Sequence, residues 1–220
     1  MRNDSMVRPA LFALCILAGV ARADAPPPDD RAVSALLGGG DPAPARDAAA
    51  TLDAACAAGR QATDCYRAAH AHYVAAVLSL GGARDAAIDA LVGCGVRLAP
   101  LLADPAWSAE ARALQSGCHG LTIALNPMKG MTLGPESARL VDQALAAAPD
   151  NPRVHYFAAM RLARTPPAWG GDPAQAREHA RRARALAEAQ PAGAVPGWGA
   201  AEAARLLAEL EAKPGAAATP

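Results

Sequence analysis

Aromatic residues are scarce in this chain: Trp, Tyr and Phe together make up 4% of 220 residues. That scarcity argues against an aromatic-rich β core, and the alternation of β-branched residues that marks a half-buried strand is absent throughout. Charge of one sign is not in excess either. Lys and Arg number 21 against 21 Asp and Glu, so the chain lacks the field that gathers phosphates and is not expected to bind nucleic acid. No GxSxG elbow, P-loop, HExxH helix or paired acidic turn occurs. The chain is therefore expected not to be an enzyme, and no cofactor or metal is expected.

What is present is a 52% hydrophobic content, carried by alanine and leucine. Small side chains on good helix formers favour close helix packing, so an all-α fold in a single domain is expected. Breakers recur at Gly59, Gly81-Gly82, Asp104-Pro105, Asn126-Pro127, Pro149 to Pro152, Pro166-Pro167 and Pro196-Gly197, delimiting about eight helices.

The N-terminus reads as a secretory signal. Arg2 and Arg8 precede an apolar run from Leu11 to Val20, and the small-residue pattern Ala21-Arg22-Ala23 follows. The run is too short for the roughly 20 residues of a spanning helix, and no later stretch is continuously apolar. Residues 1–23 are expected to be removed by cleavage after Ala23, leaving a soluble periplasmic or secreted chain with no membrane span. Cys15 raises a lipoprotein alternative, but Phe12-Ala13-Leu14 lacks the small residues that such processing needs. Residues 24–44 hold three prolines and three glycines in runs and read as a flexible linker, with at most a short turn at Arg31 to Leu37. Residues 45–212 form the helical domain and 213–220 a disordered tail.

Loss of the signal leaves Cys56, Cys65, Cys94 and Cys118, an even number in an oxidising compartment. If the turns near Gly59-Arg60 and Asp104-Pro105 each join antiparallel helices, Cys56 faces Cys65 across the first and Cys94 faces Cys118 across the second. The alternative is that Cys94 is a reduced core residue at a small-residue packing position.

The stretch Ala68 to Pro100 resembles one tetratricopeptide repeat. Val74, Ala75 and Leu78 fall on its first helix, Ala87, Leu91 and Cys94 on its second, and Gly82 in the turn. A second unit, Pro152 to about Gln190, carries Ala158, Ala159 and Leu162, then Ala176, Ala180 and Ala183, and departs from the pattern by the loop Thr165 to Asp172. A third spans Trp107 to Pro149 behind an insertion from Asn126 to Pro135. The helix Ala200 to Ala212 puts Ala203, Leu206, Leu207 and Leu210 on one stripe, as a terminal cap would. The resemblance implies TPR-like helical hairpins stacked as a short right-handed α-solenoid, in a small exported bacterial protein.

In such a solenoid the first helices line a concave groove, which here would carry His72, Ala76 and Ser79, then Arg153, Tyr156, Met160 and Arg164. Two arginines beside a tyrosine and a methionine suit a peptide bearing a carboxylate. The expected function is a periplasmic scaffold that binds a protein or peptide partner of the cell envelope. The alternative is a small-ligand-binding accessory protein of an envelope transporter.

Other candidates read as structural. His70 and His72 are about 200° apart on a helix and cannot chelate one ion together. His119, His155 and His179 are scattered singly. Met128 and Met131 bracket Lys129-Gly130 and read as loop anchors rather than as soft metal ligands. Trp107, Trp169 and Trp198 read as seals at hairpin ends, and Gly170-Gly171 as a sharp turn rather than an anion nest.

Overall fold

The computed structural model describes residues 27–59 and 61–212. The signal segment 1–23 and the tail 213–220 lie outside the described residues. Nine α-helices are found among the described residues: α1 (Asp30–Ala35), α2 (Ala43–Gly59), α3 (Ala62–Ser79), α4 (Arg84–Leu98), α5 (Ser108–Leu125), α6 (Gly130–Ala147), α7 (Pro152–Arg164), α8 (Pro173–Glu188) and α9 (Ala200–Ala212).

Local chemistry sets several boundaries. The Asn151 side chain accepts from the N–H groups of Arg153 and Val154, with Pro152 as the first helical residue of α7. Asp172 does the same for α8 through Ala174 and Gln175, ahead of Pro173. Two expectations shift. The stretch 24–44 is not wholly a tether, because α1 docks Val33 at 1% exposure. The segment Asn126 to Pro135 is not a loose insertion either, since a 3₁₀ turn at Pro127–Lys129 leads into α6, which contains Pro135.

Consecutive helices form hairpins: α2 packs on α3, α3 on α4, α5 on α6, α7 on α8, and α8 on α9. The disulfides join Cys56 to Cys65 and Cys94 to Cys118. The first links α2 to α3. The second links α4 to α5.

The expected open solenoid is not what these helices build. A solenoid's first helices keep one face free as a groove, whereas α3 is covered nearly all round, burying Cys65, Tyr66, Ala68 to Ala71 and Tyr73 to Ala76. Helices α1, α2, α4 and α5 all pack against it. Alanine and glycine make that crowding possible. A Cβ on Gly93 of α4 would strike the His72 ring, and one on Gly117 of α5 would strike Phe157. The architecture is a closed all-α bundle.

A buried polar network holds its centre. Glu110 of α5 accepts from Arg153 at 2.8 Å, from Asn151 at 2.7 Å and from the Tyr66 hydroxyl at 3.1 Å. Arg153 also donates to the backbone carbonyls of Pro196 and Trp198 at 3.1 and 3.0 Å. These bonds satisfy two charges that would each be costly to bury alone. They also fasten the segment between α8 and α9 over α3, where Trp198 stacks on His70 with ring centroids 4.3 Å apart. Asp30 of α1 accepts from the Gly197 N–H at 3.1 Å, and Arg31 donates to the Gly197 carbonyl at 3.1 Å.

Candidate functional site

The residues expected to line a peptide groove do not share a surface. Arg153 is 3% exposed and committed to Glu110. Ser79 and Tyr156 are buried, Tyr156 edge-on to both Phe157 and Trp198. Met160 packs against the core. His72 is tied to Asp53 at 3.0 Å, and Asp53 also accepts from Arg97. Ala76 is buried too, and Arg164 alone of the seven is exposed, paired with Glu209 at 2.7 Å. Arg153 is instead held inside by Glu110 and by the carbonyls of Pro196 and Trp198.

The histidines divide by environment. His70 is enclosed, and burial followed by the Arg153 charge pushes its pKa down to about 3, so it is neutral. His155 and His179 place their Nδ1 atoms 2.9 Å apart, and His155 Nε2 lies 2.8 Å from the Pro149 carbonyl. If His155 Nε2–H donates to Pro149, its Nδ1 accepts from His179. Burial, then the neighbouring His155 and Arg161, holds the His179 pKa down. Burial likewise lowers His119. Among the described residues no group of three or more His, Cys, Asp or Glu is placed to hold a metal ion. Gly171 sits where a Cβ would collide with the Thr165 carbonyl, so this glycine serves the turn.

Three residues read as structural are not packed. Met128 and Met131 are 78% and 71% exposed, and Trp169 is 70% exposed. Of the other tryptophans, Trp107 lies 5.2 Å from Tyr66, and Trp198 is buried.

Exposed apolar surface concentrates on α4. Its inner positions Ala87, Ala90, Cys94 and Leu98 are buried, yet Ile88, Val92 and Val96, spaced four apart on the outer face, are exposed, Val92 at 62%. By length and composition the span Arg84–Ala103 is apolar enough to cross a membrane, yet most of it is not buried inside the bundle. A helix apolar on both faces is ordinarily covered on both.

Beside that stripe α4 and α5 part to leave a cleft of about 220 Å³. Ile88, Leu91 and Val92 form one wall, and Thr122, Leu125 and Asn126 the other. Arg84, the first residue of α4, and Lys129, the last of the 3₁₀ turn, stand at the end where the two helices begin to part. Farther along both helices the walls are joined by the buried Cys94–Cys118 disulfide. A second, smaller cavity of about 170 Å³ near Gln190, Pro191 and Gly197 lies beside the sealed Trp198 and offers little aliphatic wall. The first cleft is the better seat for an apolar ligand.

The sequence reading passed over these residues. The signal was available in α4, where Ile88, Val92 and Val96 form a second apolar stripe beside the core stripe Ala87, Leu91, Cys94 and Leu98.

No family model and no curated relative matches the chain. Among solved structures it is similar to the HusA haemophore from Porphyromonas gingivalis, with a TM-score of 0.65 and 26% sequence identity over 87% of this chain and 94% of that one. The match overturns the tetratricopeptide assignment and, with it, the protein-interaction scaffold and its peptide partner. The sequence signs of that repeat came from alanine-rich hairpins, which both architectures use. The structure that this chain resembles is that of a haemophore, a carrier rather than a catalyst.

Proposed function

We propose that this chain is an exported carrier of a haem-class tetrapyrrole, held in the cleft between α4 and α5, and that it serves an envelope transporter. The observation that carries the reading is the uncovered aliphatic cleft of Ile88, Leu91, Val92 and Leu125. The similarity to a haemophore over most of both chains supports it.

The size of the cleft fixes how the ligand sits. At about 220 Å³ it is smaller than the roughly 300–1,000 Å³ that encloses a drug-sized molecule. A flat macrocycle therefore lays one face or edge on the walls and leaves the rest uncovered. Burying apolar surface at about 25 cal/mol per Å² drives that contact, and the preformed walls reduce its ordering cost.

The test uses the mature chain, which begins at Asp24 if cleavage follows Ala23, titrated with iron protoporphyrin. Saturable binding with a shifted visible spectrum is expected, together with thermal stabilisation. At one hundred times Kd the gain is about 2.7 kcal/mol, several degrees in Tm for a chain of this size. Val92→Glu, on an exposed position, is expected to fold normally and lose binding, while Val195→Glu, also exposed but outside the cleft lining, keeps it. Binding unaffected by Val92→Glu, or co-sedimentation of the chain with lipid vesicles in place of tetrapyrrole binding, overturns the reading.

A further inference from the structure

The cleft pairs its aliphatic walls with two cations and no acid: Arg84 and Lys129 line it, and no Asp or Glu does. Cations elsewhere in the bundle are largely spoken for. Arg67, Arg97, Arg153, Arg164, Arg181, Arg182 and Arg205 each have a carboxylate partner. Arg84 and Lys129 form no ion pair among the described residues, although Asp85 and Asp89 are close by in sequence on α4. They come from opposite walls and meet at the same end, since Arg84 opens α4 and Lys129 follows the close of α5. Beyond them the lining is chiefly aliphatic. A ligand matched to this surface has an apolar body and two anionic groups on one edge. Carboxylates fit both cations, Arg84 by a forked pair of N–H bonds and Lys129 as a point charge.

We propose that Arg84 and Lys129 form a two-point clamp for paired carboxylates on one edge of the ligand, so that the carrier selects tetrapyrroles bearing two free acid groups. This inference rests on the tetrapyrrole reading above and adds to it a determinant of specificity and of orientation. The acid edge lies at the Arg84 and Lys129 end, and the apolar body points along the walls towards Cys94–Cys118. Both side chains are exposed, so replacing them leaves the core intact.

The experiment compares metal-free protoporphyrin as the free diacid with its dimethyl ester, which keeps the macrocycle and removes both charges. Affinities are measured by tryptophan quenching for the mature wild-type chain, for Arg84→Gln, for Lys129→Gln and for the double variant, each with its thermal melt. The wild type is expected to bind the diacid about tenfold or more tightly than the ester. Each single variant loses about fivefold for the diacid alone. The double variant binds acid and ester equally, and added salt weakens diacid binding in the wild type but not in the double variant. Equal wild-type affinity for acid and ester overturns the clamp and leaves the carrier reading standing. So does a double variant that weakens both probes alike. If neither probe binds the wild type, the tetrapyrrole reading fails and the clamp fails with it.

Discussion

Cys94 of α4 is bonded to Cys118 of α5, so the two walls of the cleft are covalently one piece. The bridge holds the walls from inside, where both sulfurs are buried, while the outer face stays open to a ligand. Cys56 and Cys65 link α2 to α3, outside the cleft lining. The two disulfides therefore bear differently on binding.

Replacing Cys94 and Cys118 together by serine is expected to cost about 3 kcal/mol of stability, the magnitude for closing a loop of this length, and to weaken tetrapyrrole binding at a temperature where the variant remains folded. The Cys56→Ser, Cys65→Ser variant is expected to lose stability but keep its affinity. Denaturant melts beside titrations of both variants check this, and equal affinity loss in the two would disconnect the bridge from the cleft.

Arg153→Ala is expected to destabilise the bundle by about 3–5 kcal/mol, because it strands the Glu110 carboxylate in the core. Replacing both partners, Glu110→Gln with Arg153→Met, is expected to cost less than Arg153→Ala alone, since no unpaired charge is left behind. Urea denaturation of the three variants measures the ordering. A mild effect of Arg153→Ala would contradict its place in the core.

His70 gives stability a pH dependence whose sign follows from its depressed pKa. Its contribution is fully present above the unfolded value of about 6.5. As pH falls below that, the unfolded chain takes up a proton that the folded chain refuses until about pH 3. Stability is lost on acidification over that window by about 1.4 kcal/mol per pH unit for this one group. His119 and His179, also held down chiefly by burial, act in the same direction. His70→Phe preserves the stack on Trp198 and is expected to flatten the fall in Tm between pH 6.5 and 4.5.

Two glycines on one helix give opposite predictions. Gly93→Ala places a methyl into the His72 ring and is expected to cost about 1–3 kcal/mol. Gly95→Ala meets nothing within 4 Å and is expected to stabilise α4 by about 0.5–1 kcal/mol, through helix propensity alone. Thermal melts of the two variants, two residues apart, read the difference directly.

The helices were legible in the sequence where the signal was local. Asn151-Pro152 and Asp172-Pro173 announce their helices by caps that need no distant partner. The stripe Ala203, Leu206 and Leu207 does turn inward on α9. What the sequence withheld was which face turns inward when both are small or apolar. Alanine fits a groove lining and a core equally well, so Ala68 to Ala76 could be phased as an open repeat, and α3 turned out to be enclosed. Arg153 read as a surface cation because its partner, Glu110, lies 43 positions away. On α4 the reading took one apolar stripe as the core and left Ile88, Val92 and Val96 without a role. Of these, Ile88 and Val92 now line the candidate site.

The contact of Asp30 and Arg31 with Gly197 joins residues 167 and 166 positions apart. During synthesis and passage out of the cell, α1 emerges early while its seat is among the last parts to arrive. Until then Asp30 has only Arg67 of α3 to pair with, on which helix α1 also packs, and the bonds to Gly197, of far longer span, form late. The Gly197 latch therefore closes from the trailing end. An export machine that threads an unfolded chain meets a leading segment whose latch on Gly197 cannot form until most of the protein has crossed.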